Sequence, residues 1–321
     1  MSRFTFIDLF SGIGGFRLAL ESLGGTCVFS SDIDENARRT YFHNFNDVPY
    51  GDIRESAVKG LIPLDFDVLC AGFPCQAFSV AGLQKGFSDE RGTLFFEVVE
   101  ILREHRPKAF ILENVKHLLT HGGGETIRTM LNTLRSLNYA VYLKVMDASK
   151  YANVPQHRER VFFVGFQKDS LPDFYSFEFP DKRTLTVKPQ DLFDYGNQDE
   201  SLYYTERYKM YDVIKEGVKD PSCIYQYRRM YVRENKSGVC PTLTANMGGG
   251  GHNVPLILDN GRIRKLSVRE CLRLQGFPES FSFPPKMSSG AKYKQIGNSV
   301  VVPLVRSIAE NVLDVIFDQT K

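Results

Sequence analysis

Residues 4–20 read FTFIDLFSGIGGFRLAL, and this stretch decides the fold. Phe4 to Phe10 is apolar and alternating, as in a strand buried in a sheet. Ser11-Gly12-Ile13-Gly14-Gly15 makes a tight turn, and Phe16 to Leu20 takes up helical spacing. A strand, a glycine turn and a helix open an α/β fold and form a cradle for a nucleotide-like ligand. The small residues let the backbone approach the ligand, with the helix N-terminus behind it. The dinucleotide pattern G-x-G-x-x-G is not met, because Arg17 holds the third glycine position. A purely structural strand-to-helix turn reads the same way.

Working outward, Thr26 to Ser30 reads as a second strand, ending before Asp32. An acid at that distance from the turn can accept hydrogen bonds from ribose hydroxyls, or it can cap the helix over 35–42. Gly51-Asp52-Ile53 sets a second acid near a third strand end. Phe66 to Ala71 is a buried strand, and past Gly72 comes Pro74-Cys75. The exit of a parallel strand is where open sheets place ligands. A thiolate there is a nucleophile when a cation or helix N-terminus lowers its pKa; a buried structural thiol is the alternative. Residues 76–91 lack an apolar period and contain Gly82 and Gly86, which suits a lid over an active site. A helix follows over 93–102. Ala109 to Leu112 is a strand ending at Glu113-Asn114, which puts a carboxylate on the same sheet edge as Cys75. Residues 125–137 read as an amphipathic helix, and 140–145 and 161–166 as a closing pair of strands. Between them lies Gln156-His157-Arg158-Glu159-Arg160, whose arginines either grip phosphate or a base edge, or pair with Glu159.

The 321 residues allow one large domain and a smaller one. With 42% hydrophobic and 24% charged residues the chain is an ordinary globular protein. A net charge of +2 announces no global basic field, so any nucleic-acid surface must be local. The 6 cysteines form no C-x-x-C pair and no zinc-ligand spacing, which fits a reducing compartment and no metal. A zinc deaminase would need P-C-x-x-C, and Phe78 stands where its second cysteine belongs. There is no signal-peptide pattern and no apolar run of membrane-span length. A cytoplasmic protein with no membrane contact is expected.

Near Pro180 the strand-helix alternation ends. Tyr203, Tyr204, Tyr208, Tyr211, Tyr225, Tyr227 and Tyr231 follow, the last of them interleaved with Arg228, Arg229, Arg233 and Lys236. Basic residues among aromatics suit contacts to nucleic-acid backbone and bases, or a solvated face. Pro241 to Gly251, ending in four glycines, reads as a loop able to follow a groove. Arg262, Arg264, Lys265, Arg269 and Arg273 form a local basic cluster. Ser267 and Glu270 make a capping box for a helix over 268–274. Gln295 to Ser299 precedes a last helix over 300–317, expected to pack on the first domain.

Six stretches now stand in order: Phe10 to Gly15, Gly72 to Gln76, Glu113-Asn114-Val115, Gln156 to Arg160, Arg269 to Arg273 with Gln275 to Pro278, and Gly297 to Val300. By them the chain resembles the DNA (cytosine-5) methyltransferases of bacterial type II restriction-modification systems. The resemblance spans the chain except for about 181–265, the family's variable target-recognition region. It implies an α/β, Rossmann-like, doubly wound and mostly parallel sheet with an antiparallel closing strand, plus a smaller irregular target-recognition domain. The catalytic and cofactor-binding domain would be 1–180 completed by 290–321, and the target-recognition domain 181–289.

The resemblance also implies S-adenosylmethionine as cofactor and S-adenosylhomocysteine as product. The implied cofactor contacts are Phe10, Ser11, Gly12, Ile13, Gly14 and Gly15, then Asp32, Ile33, Asp52 and Ile53, then Pro74, Leu94, Asn298 and Ser299. Ile33 stands where the family often has tryptophan, and its aliphatic side chain can pack on the adenine ring. Cys75 would attack C6 of a flipped-out cytosine, Glu113 would stabilise N3, and Arg160 would hold O2. Arg158 is the fourth implied catalytic group, supporting the thiolate or the backbone. Implied DNA contacts are Gln76, Ser79 and Arg91 in the lid, and Arg228, Arg229, Arg233, Thr242, Leu243, Gly249 and Gly250. The implied partner is a short site in double-stranded DNA, met by a monomer that works alongside a restriction endonuclease. A tRNA cytosine-5 methyltransferase of the same fold is the alternative; its Cys-Phe-Thr signature is absent here.

Overall fold

The computed structural model describes residues 3–74, 94–171, 173–196, 198–228, 230–249 and 253–317. Cys75, Gln76, Ser79, Arg91, Arg229, Gly250 and the expected lid lie outside the described residues. The chain forms two compact units. The first comprises 1–146, 159–181 and 304–321, and the second 147–158 and 182–303. Segments 147–158 and 290–303 thus pack with the second unit, whereas the sequence reading grouped them with the first.

The first unit begins β1 (Phe4–Leu9), α1 (Gly15–Glu21), β2 (Gly25–Ser31), α2 (Glu35–Phe45), α3 (Ser56–Lys59) and β3 (Val68–Ala71). It continues with α4 (Leu94–His105), β4 (Ala109–Val115), α5 (Glu125–Ser136) and β5 (Tyr139–Asp147). The chain then visits the second unit as α6 (Ala148–Tyr151) and β6 (Gln156–His157), and returns as β7 (Glu159–Gln167). The six-stranded sheet has the order β2-β1-β3-β4-β7-β5. Pairs β1/β2, β1/β3 and β3/β4 are parallel, and β7 runs antiparallel to β4. The core strands read as near-continuous apolar runs because both faces of the sheet are covered. On one face Ile7, Leu9, Phe29, Leu69 and Phe110 pack with Phe95, Val98, Val99 and Leu102 of α4.

Topology makes the site. The carboxyl ends of β1 to β4 lie along one edge, where open α/β sheets bind ligands. Because β7 runs the other way, its first residues reach that same edge, and Arg160 stands opposite Val115.

The second unit adds α7 (Tyr211–Gly217), β8 (Ile224–Tyr227), β9 (Val232–Asn235), β10 (Cys240–Pro241), β11 (Leu256–Asp259) and β12 (Arg262–Lys265). Then come α8 (Val268–Arg273) and α9 (Ser289–Asn298). Irregular over much of its length, the unit is organised on a four-stranded sheet of order β12-β11-β8-β9, antiparallel throughout. Ile214 and Val218 pack on Tyr225, Leu256 and Ile263. The final helix, α10 (Val302–Phe317), carries its residues from Leu304 onward in the first unit. There Phe317 meets Phe4, with ring centroids 6.5 Å apart.

Candidate active site

At the end of β1 the backbone turns through two glycines of positive φ, Gly12 at 54° and Gly14 at 84°. A Cβ on Gly14 would overlap the Phe45 ring, so the residue also lets α1 approach α2. Asp32 is tied to this turn. Its Oδ2 accepts from the Gly12 N–H at 2.8 Å and its Oδ1 from the Asp34 N–H at 2.7 Å. The cap of α2 is Asp34, which accepts from Asn36 and Ala37. Asp32 is therefore not the helix cap and remains a half-buried carboxylate facing the turn. Burial pushes its pKa up, against the two backbone N–H groups. Next to it, Ile33 is 69% exposed. The Ser11 hydroxyl is buried with no hydrogen-bond partner.

The chain at Tyr50 bridges Ser31, and the Asp32 N–H donates to the Tyr50 carbonyl at 3.0 Å, which brings Asp52 to the same edge. The Arg54 guanidinium forks onto Asp52 and holds its pKa below the usual range. Ile13 and Ile53 have buried side chains, so only their backbone can meet a ligand. Arg17, which breaks the dinucleotide pattern, clamps α1 to α2. It bonds Glu21 at 2.7 Å and Asp47 at 2.6 Å and lies over the Phe45 ring. An acid for ribose hydroxyls, an exposed aliphatic side chain for a ring and a backbone open to close approach fit an adenosyl group.

The second cluster sits at the ends of β3 and β4. The Asn114 side-chain amide donates to the Phe73 carbonyl at 2.9 Å, and its oxygen accepts from the Val115 N–H at 2.8 Å. Asn114 thereby fixes the backbone one residue ahead of Pro74, a role the sequence reading did not assign. Glu113, 8% exposed, lies 2.9 Å from Arg160 Nε. No hydrogen bond is made to that carboxylate oxygen, so the contact is an ion pair without N–H alignment. Arg160 Nη1 donates instead to the Glu159 carbonyl. Glu159 itself pairs with Lys116 at 2.9 Å, so neither arginine is neutralised by it.

The second unit holds most of the other expected residues. Arg158, read as catalytic, is 2% exposed and donates to the carbonyls of Leu243 at 2.7 Å, Gly297 at 3.1 Å and Ser299 at 2.7 Å. Its guanidinium serves backbone, one of the two roles the resemblance implied for it. Leu243, read as a DNA contact, is fully buried, and both its backbone polar groups are engaged, the N–H by Gln156 and the carbonyl by Arg158. Three arginines of the basic cluster over 262–273 are paired internally. Arg264 is buried between Asp259 and Glu270, at 2.6 and 2.8 Å. Arg262 forks onto Glu200 and lies over the Tyr203 ring at 3.8 Å, and Arg273 pairs with Asp194 and Glu279.

Arg228 and Arg233 are exposed on the β8–β9 hairpin, whose connection carries exposed Met230 and Tyr231. Thr242 donates its hydroxyl to the His157 carbonyl at 2.6 Å, and Gly249 is exposed. Asn298 is exposed at the end of α9, and the buried Ser299 donates its hydroxyl to the Val300 carbonyl. Leu94, half-buried, begins α4, and Pro74 is exposed. Among the described residues no group of three or more His, Cys, Asp or Glu has metal-binding geometry, and no helix is long and apolar enough to cross a membrane.

Comparison with known proteins adds four findings. The model of the family described as C-5 cytosine-specific DNA methylase matches residues 4–314. The chain is 45% identical to type II methyltransferase M.Bsp6I of Bacillus sp. (strain RFL6), across 95% of this chain and 97% of the relative. It is 40% identical to type II methyltransferase M.HhaI of Haemophilus parahaemolyticus, across 97% and 95%. The fold is shared with a crystal structure of S. pombe Dnmt2 methyltransferase, at TM-score 0.73 and 20% identity, covering 97% of this chain and 98% of that one.

Proposed function

The chain belongs to the C-5 cytosine-specific DNA methylases and is a DNA (cytosine-5) methyltransferase. From that premise we propose that it uses S-adenosylmethionine to methylate one cytosine in a short duplex site, through a covalent adduct at Cys75. The observation that carries this reading is the Glu113–Arg160 pair at the sheet edge, beside the Phe73 carbonyl held by Asn114.

Cytosine C5 is a weak nucleophile within an aromatic ring. In this reading the Cys75 thiolate forms a bond to C6, and the displaced electron pair makes the ring enamine-like. Glu113, carrying or sharing a proton at N3, stabilises the charge that develops there. Arg160 holds O2 and sets the pose of Glu113. S-adenosylmethionine supplies an electrophilic methyl group. C5 would take that methyl as the sulfonium S–CH3 bond breaks and S-adenosylhomocysteine leaves with the electron pair; C5 would then lose its proton to a base, and the C6–sulfur bond would break to restore the aromatic ring and the thiolate. A stacked base is out of reach, so the cytosine is flipped out. Asp32 would accept from the ribose hydroxyls and Ile33 would flank the adenine. Residues 225–233 and 242–249 would meet DNA. The enzyme would act as a monomer in the cytoplasm and protect host DNA from a cognate endonuclease.

Bisulfite sequencing of plasmid from cells expressing the chain tests the activity and reads out the site. Duplexes carrying 5-fluorocytosine at that site test the adduct, since fluorine blocks the last proton loss. Active protein that leaves no gel-stable complex with them would falsify the covalent route.

A further inference from the structure

The buried groups of the Gln156 to Arg160 stretch are accounted for only in part by chemistry at Glu113. Strand alternation turns Gln156 and Arg158 inward and His157 outward. The stretch pairs in parallel with Cys240–Pro241, Cys240 opposite Gln156 and Pro241 opposite His157. Gln156 Oε1 accepts from the Leu243 N–H at 3.0 Å while its amide donates to the Leu274 carbonyl at 2.7 Å. Arg158 takes the Leu243 carbonyl with one nitrogen and the Gly297 and Ser299 carbonyls with the other. Backbone contact completes the clamp. A Cβ on Gly297 would overlap the Thr244 carbonyl and the Ala245 nitrogen, and one on Gly248 would overlap the Gly290 carbonyl oxygen. Between the buried anchors Leu243 and Met247, Thr244 and Asn246 stay exposed.

We propose that Gln156 and Arg158 are specificity-positioning residues: by holding both backbone polar groups of Leu243 they set the pose from which Thr244 and Asn246 meet DNA. This rests on the reading that residues 242–249 contact the target. A guanidinium suits the task because its planar fork reaches carbonyls on two segments at once, which an ammonium cannot do with the same geometry. Leaving a carbonyl of this cluster unpaired would loosen the segment rather than remove a reacting group.

The test is Arg158→Lys, assayed on duplexes bearing the site found by bisulfite sequencing and its single-base-pair variants. Methylation of the cognate site over the variants should fall by about 10-fold, within the range of one good base contact. KM for DNA should rise, while kcat at saturating DNA and the affinity for S-adenosylhomocysteine stay within about 2-fold. Unchanged preference, or a collapse of kcat with KM unaltered, overturns the inference. Should Arg158→Lys fail to give a cooperative melt, Gln156→Leu removes the acceptor of the Leu243 N–H and carries the same expectation. The double substitution Thr244→Ala, Asn246→Ala separates the two levels. Unchanged preference there sinks the reading of 242–249, whereas altered preference there with an unaffected Arg158→Lys sinks only the positioning role.

Discussion

Asp8 lies near the end of β1, one strand in from the edge of the sheet, and is fully buried. Burial holds its pKa well above the usual range, and the charge of Arg17 offsets only part of that. Below about pH 4 the side chain is protonated in folded and unfolded chains alike. As pH rises from there, the unfolded chain releases the proton while the folded one keeps it, so stability falls. Asp8→Asn should therefore raise the melting midpoint over wild type at neutral pH and not at about pH 4. Equal shifts at both pH values would show that burial of the acid is not what limits stability there. Glu113→Gln keeps the volume and removes the charge opposite Arg160. It should lower kcat by about 10²- to 10⁴-fold, with cofactor affinity unaltered in a calorimetric titration. A kcat near wild type would remove Glu113 from the chemistry. The place of Glu113 at the sheet edge was legible in the sequence because the apolar run ends on it, while its chemical role came only from the family resemblance. The place of Arg158 was not. Its partners Leu243 and Ser299 lie 85 and 141 residues further along, so only the folded chain shows that they meet.

The elements of the first unit could be read directly because strands buried on both faces are unbroken apolar runs, and the turn between β1 and α1 announces itself by its glycines. Gly14→Ala tests that turn. Its φ of 84° is strained for a residue with a side chain, and the added methyl meets the Phe45 ring. The two effects together should cost about 2–4 kcal/mol, seen as a lower urea midpoint at unchanged slope. A midpoint equal to wild type would mean α1 and α2 have room to part. The second unit was harder. Its sheet strands are four residues long, too short to show a period against their surroundings. Tyrosine beside arginine has one composition and two fates. Tyr203, Tyr204 and Tyr225 are core residues, while Tyr231 is 58% exposed. Arg264 looked like surface charge, and its partners Asp259 and Glu270, on either side of it in sequence, were the overlooked signal.

The two units are not successive stretches of the sequence. The chain passes between the units after Met146, Arg158, Asp181 and Pro303. A graft from a relative is therefore expected to behave differently by its limits. Replacing 182–303 together with 147–158 should carry the relative's site preference and keep a melting midpoint close to wild type. Replacing 182–265 alone leaves the host's Gln156 and Arg158 facing foreign partners, and should melt lower. Equal midpoints for the two grafts would show that the contact at Leu243 tolerates exchange. The same connectivity bears on how the protein is made. Arg158 is synthesised 85 residues ahead of Leu243 and 141 ahead of Ser299. At ribosomal rates of about 5–20 residues per second, the guanidinium waits on the order of ten seconds for its last carbonyl. The Leu243 carbonyl is made first, and the Gly297 and Ser299 carbonyls follow only as α9 is completed. A chain released early, before residue 297, would lack the Gly297 and Ser299 carbonyls that Arg158 serves.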